Sequence, residues 1–210
     1  MLRYVVFDYG KTLIEYNEIA IARHYVKNDG EAEELARVFF DRLYCDKIDA
    51  GTMAEEERVR LARARLPEKY HALLPDMTRT WYRYLPHISG MPELVENLYR
   101  SGIGLYLLSN ISAEFANHTG EEPILRHFNG IVLSGPIRLI KPDIAIYRYL
   151  LDRYELEPSE GLFVDDREEN VRAAIAVGMD GYLFDGDAAR LATYIEEKGR
   201  RYGKGTDRQN

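Results

Sequence analysis

Hydrophobic positions along the chain fall into two alternating textures. Short apolar runs occur at residues 3–8 (RYVVFD), 103–108 (IGLYLL), 130–134 (GIVLS), 161–164 (GLFV) and 181–184 (GYLF). Runs of this length, bounded by Gly, Ser or an acid, predict strands buried on both faces, the pattern of a parallel sheet. Between them the apolar residues recur at helical spacing. Residues 92–100 open with Pro92 and carry Leu94, Val95 and Leu98 on one face. Residues 142–153 open with Pro142 and carry Ile146, Tyr149 and Leu150, and residues 167–177 gather Val171, Ala174, Ile175 and Gly178. Residues 187–198 bring Leu191, Tyr194 and Ile195 together. Strands alternating with such helices predict an α/β fold, a doubly wound and mainly parallel five-stranded sheet.

One stretch breaks the alternation. Residues 17–85 contain no convincing strand. Helices are predicted over 17–27 and 31–45, split by Asn28-Asp29-Gly30, and a third opens on a Thr52/Glu55 capping box. A stripe of Tyr70, Leu73, Leu74, Met77, Trp81, Tyr84 and Leu85 follows, with Pro75 expected to break it in two. The division expected is an α/β core of residues 1–14 and 89–198, an all-helical insert over 15–88, and a polar, fraying tail over 199–210 (GRRYGKGTDRQN).

Composition narrows the function. The 210 residues carry a formal net charge of −7, which argues against general nucleic-acid or anionic-membrane binding. Cys45 is the only cysteine, so no intrachain disulfide and no cysteine-based zinc site can form. The first ten residues hold only a short apolar run interrupted by Asp8, neither a signal peptide nor a membrane span, and a cytoplasmic location is expected.

Ligands of a parallel α/β sheet bind beyond the carboxyl ends of its strands. Asp8, Gly10 and Thr12 follow the first strand, Ser109 and Asn110 the second, Lys141 the third, and Asp165 and Asp166 the fourth. Taken singly, an Asp at a strand end, a Ser-Asn pair or a Lys-Pro step is an ordinary turn or helix start. Adjacent acids at the end of a buried strand are harder to dismiss, since they are costly without a cation. Converging carboxylates repel one another, and a divalent cation together with Lys141 balances them. An all-oxygen ligand set suits Mg²⁺, which keeps some waters and shares a phosphate.

These motifs resemble the haloacid dehalogenase-like hydrolase superfamily, in its branch with a helical cap inserted after the first strand. The resemblance rests on FDYGKTL (7–13), LLSN (107–110), IKPD (140–143) and FVDDREENVRAAIAVGM (163–179), and covers the core, about two thirds of the chain. It implies a Mg²⁺-dependent phosphomonoester hydrolase acting on a small phosphorylated metabolite. By resemblance, Asp8 attacks phosphorus and forms an aspartyl-phosphate. Thr12, Ser109 and Asn110 bind the phosphoryl group, and Lys141 neutralises it. Asp8, the Gly10 carbonyl, Asp165 and Asp166 surround the metal, with Asp166 as an inner-sphere ligand and Asp165 close by or acting through water, the choice between the two acids staying open, and Asn170 as support.

Two departures stand out. The family's phosphatases usually carry a second Asp, a general acid/base, where this chain has Gly10. General acid catalysis is worth about 10²–10⁴ in rate. The change resembles sugar-phosphate phosphatases of this branch that also have Gly. It favours good leaving groups such as sugar 1-phosphates, or a proton from substrate, water or cap, with Glu15 and Tyr16 as weak candidates. Lys11 stands where the family often has Gly, either altering the turn or reaching an outer phosphate.

Other readings fall away or stay as rivals. Gly10-Lys11-Thr12 imitates the end of a P-loop, but the required earlier Gly is Val5. Gly102 and Gly104 begin a dinucleotide fingerprint that no third Gly completes. The histidines, His24, His71, His87, His118 and His127, lack paired ligand spacing. A haloacid dehalogenase, attacking carbon without a metal, leaves the Asp165-Asp166 pair without purpose. A non-catalytic phospho-ligand binder takes Gly10 as the mark of lost chemistry. Neither the substrate nor the oligomeric state is legible.

Overall fold

A computed structural model describes the backbone of residues 1–203 and the side chains through Gly199. Its centre is a five-stranded sheet, all parallel, in the order β3-β2-β1-β4-β5. The strands are β1 (Tyr4–Phe7), β2 (Gly104–Ser109), β3 (Gly130–Leu133), β4 (Gly161–Asp165) and β5 (Asp180–Leu183). All five apolar runs are therefore strands. The chain leaves β1 for β2 and β3 on one side, then crosses to β4 and β5 on the other. That reversal puts the topological switch point, where such sheets bind ligands, at the carboxyl end of β1.

Each face of the sheet has its own core, because alternate residues of a strand point to opposite sides. Val5, Phe7, Leu105, Leu107, Leu162 and Val164 pack under α6 (Met91–Arg100) and α10 (Ala188–Gly203), through Leu94, Val95, Leu191 and Ile195. Tyr4, Val6, Leu108 and Phe163 pack under α8 (Ile144–Arg153) and α9 (Glu168–Ala176), through Ile146, Leu150 and Ala174. Burying one such side chain contributes about 1.5–3 kcal/mol, so these two cores hold the strand ends in register. Gly161 is required here, because a Cβ on it would sit 2.3 Å from the Tyr4 ring.

The segment between β1 and β2 is helical, with α1 (Glu18–Ala22), α2 (Asp29–Phe39), α3 (Arg42–Asp49), α4 (Glu55–Arg65) and α5 (Leu74–Thr80). Its apolar side chains, among them Leu35, Phe39, Ala62, Met77 and Trp81, are continuous with the first core. The two chain crossings between insert and sheet are laced together. Glu15 N–H donates to Pro86 O at 2.8 Å and Ile88 N–H to Leu13 O at 3.0 Å.

Several helix ends differ from the sequence pattern. The helix expected over 31–45 is two helices, because Asp41 takes the N-cap role and its carboxylate accepts from Leu43 N–H at 3.0 Å. The Thr52/Glu55 capping box does not form: α4 opens on Ala54, and the Thr52 hydroxyl donates instead to Lys47 O at the end of α3. Pro75 sits in the first turn of α5 and opens it rather than breaking it. Helix α8 is capped by Asp143, which accepts from Ala145 N–H, so Pro142 lies before it. Ile175 is exposed, and α9 buries Asn170 and Ala173 beside Val171 and Ala174. Helix α10 runs to Gly203, past the expected end at 198, and residues 204–210 lie outside the described residues.

Candidate active site

Asp8 follows β1 directly, Ser109 ends β2, and Asp165 ends β4, so three adjacent strands deliver these side chains to one spot. Lys141 comes from the loop before α8. Its ammonium donates to Asp8 Oδ1 at 2.7 Å and to Asp165 Oδ2 at 2.7 Å. Asp8, Asp165 and Asp166 each offer an oxygen, and the three oxygens lie within 4.8 Å of one another.

The two neighbouring acids of β4 are not equivalent. Asp165 is fully buried and fully engaged. Besides Lys141 it accepts from both Asn170 Nδ2, at 2.9 and 3.0 Å, and the Arg167 backbone N–H at 2.9 Å. Asp166 is half-buried, and among the described residues no side chain donates to its carboxylate. Asp166 and Asp8 therefore have oxygens to spare for a cation, while Asp165 is tied down. Three carboxylates against one ammonium leave a deficit of positive charge that a hard divalent ion with oxygen ligands fits.

Protonation follows from burial first. Asp8 is pushed up to about 6 chiefly by loss of solvent; Lys141 pulls it back down, and the Asp165 charge pushes it up further. Asp166 is raised by burial and by Asp165, against the pull of Lys11 and Lys141. Burial alone lowers the Lys141 ammonium, but Asp8 and Asp165 outweigh it and hold it above its ordinary value.

Asn110 lines the cavity and also braces Lys141. Its amide donates to Lys141 O at 2.9 Å and its Oδ1 accepts from Lys141 N–H at 2.8 Å, so it grips the lysine backbone from both sides. Thr12 is fully buried, its hydroxyl has no hydrogen-bond partner, and it is not on the cavity wall. Gly10 is on that wall, and a Cβ there would meet nothing within 4 Å. Lys11 has φ +59°, a left-handed conformation that favours Gly, and also lines the cavity.

The cavity, of about 400 Å³, lies between these strand ends and the helical insert. Asp8, Ser109, Asn110, Lys141, Asp166 and Asn170 form its floor. The opposite wall carries Tyr16, Phe40, Ile48, Trp81 and Leu85, with Asp49, Glu55 and Arg58 among them. Tyr16, Phe40 and Trp81 meet edge to face, with ring centres 5.9–6.3 Å apart. Cys45 also lines it, a half-buried thiol that burial pushes up to about 11. The three polar wall residues were missed from sequence. Helix α4 (EEERVRLARAR) reads as solvated on every side, yet Arg58 is 3% exposed on the face that also buries Ala62. The spacing of Arg58 and Ala62, four apart, was the available signal.

Residues 2–178 match the family model of the haloacid dehalogenase-like hydrolases, and the chain belongs to that family. A sesquiterpene phosphatase of Aspergillus oryzae is 36% identical over 108 residues, 50% of this chain and 53% of that protein. The chain spans about half the length of the first curated relatives it matches. A Bacteroides thetaiotaomicron enzyme of the same family, solved with magnesium and inorganic phosphate, superposes with a TM-score of 0.67 at 19% identity, covering 91% of this chain and 99% of that one. The L-2-haloacid dehalogenase of Xanthobacter autotrophicus superposes with a TM-score of 0.65 at 19% identity, covering 86% and 76%. At these identities the structures establish the shared fold. Among the described residues no helix is long and apolar enough to cross a membrane.

Proposed function

We propose that this hydrolase is a Mg²⁺-dependent phosphomonoester phosphatase, with residues 15–88 as its cap and a small phosphorylated metabolite as its substrate. The observation that carries the reading is the group of three carboxylates around one buried ammonium at the strand ends. Attack on carbon needs no cation and gives Asp166 nothing to do. Attack on a phosphate dianion needs both positive charges, since the anion must approach anionic Asp8. The sesquiterpene phosphatase relative supports phosphate chemistry.

In this reading Asp8 is the nucleophile, and its free oxygen attacks phosphorus in line with the leaving alcohol. Lys141 holds the other Asp8 oxygen and so orients the attack. Ser109, almost fully buried at the end of β2, offers its hydroxyl to a phosphoryl oxygen. Asn110 keeps Lys141 in place, and Asn170 with the Arg167 amide fixes Asp165. Asp8, Asp166 and the Gly10 carbonyl, with Asp165 close by, would hold Mg²⁺, which would supply neutralising charge and orient the phosphate. The cap wall excludes water and receives the organic part of the ester.

A panel of phosphate esters and 2-haloacids, run with Mg²⁺ and with EDTA, tests the reading. Phosphate release that stops with EDTA and in Asp8→Asn is expected. Halide release indifferent to chelation would overturn it in favour of the dehalogenase. No turnover of any ester would leave a phosphate-binding scaffold.

A further inference from the structure

Splitting a phosphate ester of an ordinary alcohol requires a proton for the departing alkoxide, and splitting the aspartyl-phosphate afterwards requires a base for water. On the floor of the cavity the carboxylates and Lys141 are already committed to other tasks. Gly10 has no side chain, and the Lys141 ammonium is shared by two carboxylates. Asp165 is saturated, and Asp166 belongs to the cation site.

The wall opposite offers four carboxylates near the apolar patch, of which Glu18, half-buried, opens α1. Asp46 is exposed at the rim. Glu55 is closed off by Arg58, whose Nη2 meets Glu55 Oε2 at 2.5 Å, while the guanidinium lies 4.1 Å over the Phe39 ring. Asp49 is different. Among the described residues its carboxylate has no hydrogen bond or ion pair, and it faces the cavity at the end of α3.

Its placement is fixed from the floor side. The Ser134 hydroxyl, just past the end of β3, donates to the Asp49 backbone carbonyl at 2.5 Å and accepts from Ile111 N–H at 2.9 Å. Ile111 directly follows Asn110, so two hydrogen bonds through one buried hydroxyl moor Asp49 to the loop that follows β2. Two residues on, Gly51 presses against Gly135 so closely that a Cβ would lie 2.3 Å from its carbonyl oxygen. This corner of the cap rests on the core.

We propose that Asp49 is the acid–base residue of the reaction, acting from the cap in place of a carboxylate at Gly10. This rests on the phosphatase reading. As the Asp8–phosphorus bond forms and the phosphorus–oxygen bond breaks, the protonated Asp49 gives its proton to the leaving oxygen. The resulting Asp49 carboxylate then takes a proton from the water that attacks the aspartyl-phosphate, which restores both carboxyls and releases phosphate. Burial pushes Asp49 up to about 7, against the pull of Arg58 and with help from Asp46 and Glu55; Arg42 also lowers it. A carboxyl poised near neutrality can serve in both directions. Tyr16 and Cys45, also on this wall, are both raised and stay neutral.

The test compares first-turnover rates on two esters of similar size and opposite leaving-group quality, p-nitrophenyl phosphate and benzyl phosphate. Nitrophenolate departs without a proton; the benzyl alkoxide does not. In Asp49→Asn the ratio of the two rates is expected to rise about 10²-fold or more in favour of the nitrophenyl ester, and Asp49→Glu is expected to recover part of the benzyl rate. A ratio equal to that of the unaltered protein in both variants overturns the role of Asp49, including the case where both rates drop together through misfolding. If the unaltered protein turns over neither ester, the phosphatase reading itself fails.

Discussion

At Lys141 one buried ammonium faces two carboxylates at 2.7 Å each. Removing one partner of such a buried set costs about 3–5 kcal/mol, because charges are left without compensation. Lys141→Met should therefore lose about that much stability in urea titrations without divalent cation. Asp8→Asn in the Lys141→Met background should recover part of it, since one stranded charge is then gone. Asp49 gives a pH signature of its own. Its carboxyl sits at about 7 in the folded chain, against about 3.9 unfolded. Between those values the folded state binds more protons, so this group lowers stability as pH rises through the window. Solvent reaches part of the carboxyl, so the slope is shallower than a sealed acid would give. Comparing the unaltered protein with Asp49→Asn in thermal melts from about pH 4 to 7 should show a shallower decline in the variant.

At the scale of elements, the seam between α3 and the core is set by a backbone that only Gly accepts. Gly51 has φ +66° and abuts Gly135. Gly51→Ala should cost about 1–3 kcal/mol from the backbone strain alone, and the crowding adds to it. Thermal melts read the stability loss. The same variant should lower the benzyl phosphate rate more than the nitrophenyl rate, since Asp49 shifts with the seam. The elements themselves were legible to different degrees. Strands β1, β2, β3 and β4 showed because buried parallel strands are continuous apolar runs; β5 showed as such a run although it lies at the sheet edge with Leu183 exposed. Several helix ends did not, because Asp41 in the insert and Asp143 in the core became caps only once neighbouring turns were in place. Thr52 found a carbonyl across a turn rather than along its own helix. Local patterns name candidate caps, and tertiary geometry selects among them.

For the whole molecule, the floor of the site was readable because each strand end carries its own short motif. The wall was not, because Asp49, Glu55 and Arg58 look like ordinary polar residues until the insert folds over the sheet. Thr12 shows the converse, a motif residue sealed in the interior. Mg²⁺ should bind the folded chain at the three carboxylates and stabilise it, by about 2.7 kcal/mol at a hundred times its dissociation constant. The shift in melting temperature should vanish in Asp166→Asn. The most direct measurement is acid-quenched turnover of p-nitrophenyl phosphate with Mg²⁺, followed by peptide mass spectrometry. The account predicts a phosphoryl group on the peptide carrying Asp8, absent with EDTA. Sustained turnover with no phosphoryl group on that peptide, or an ester formed there from a 2-haloacid, would contradict it.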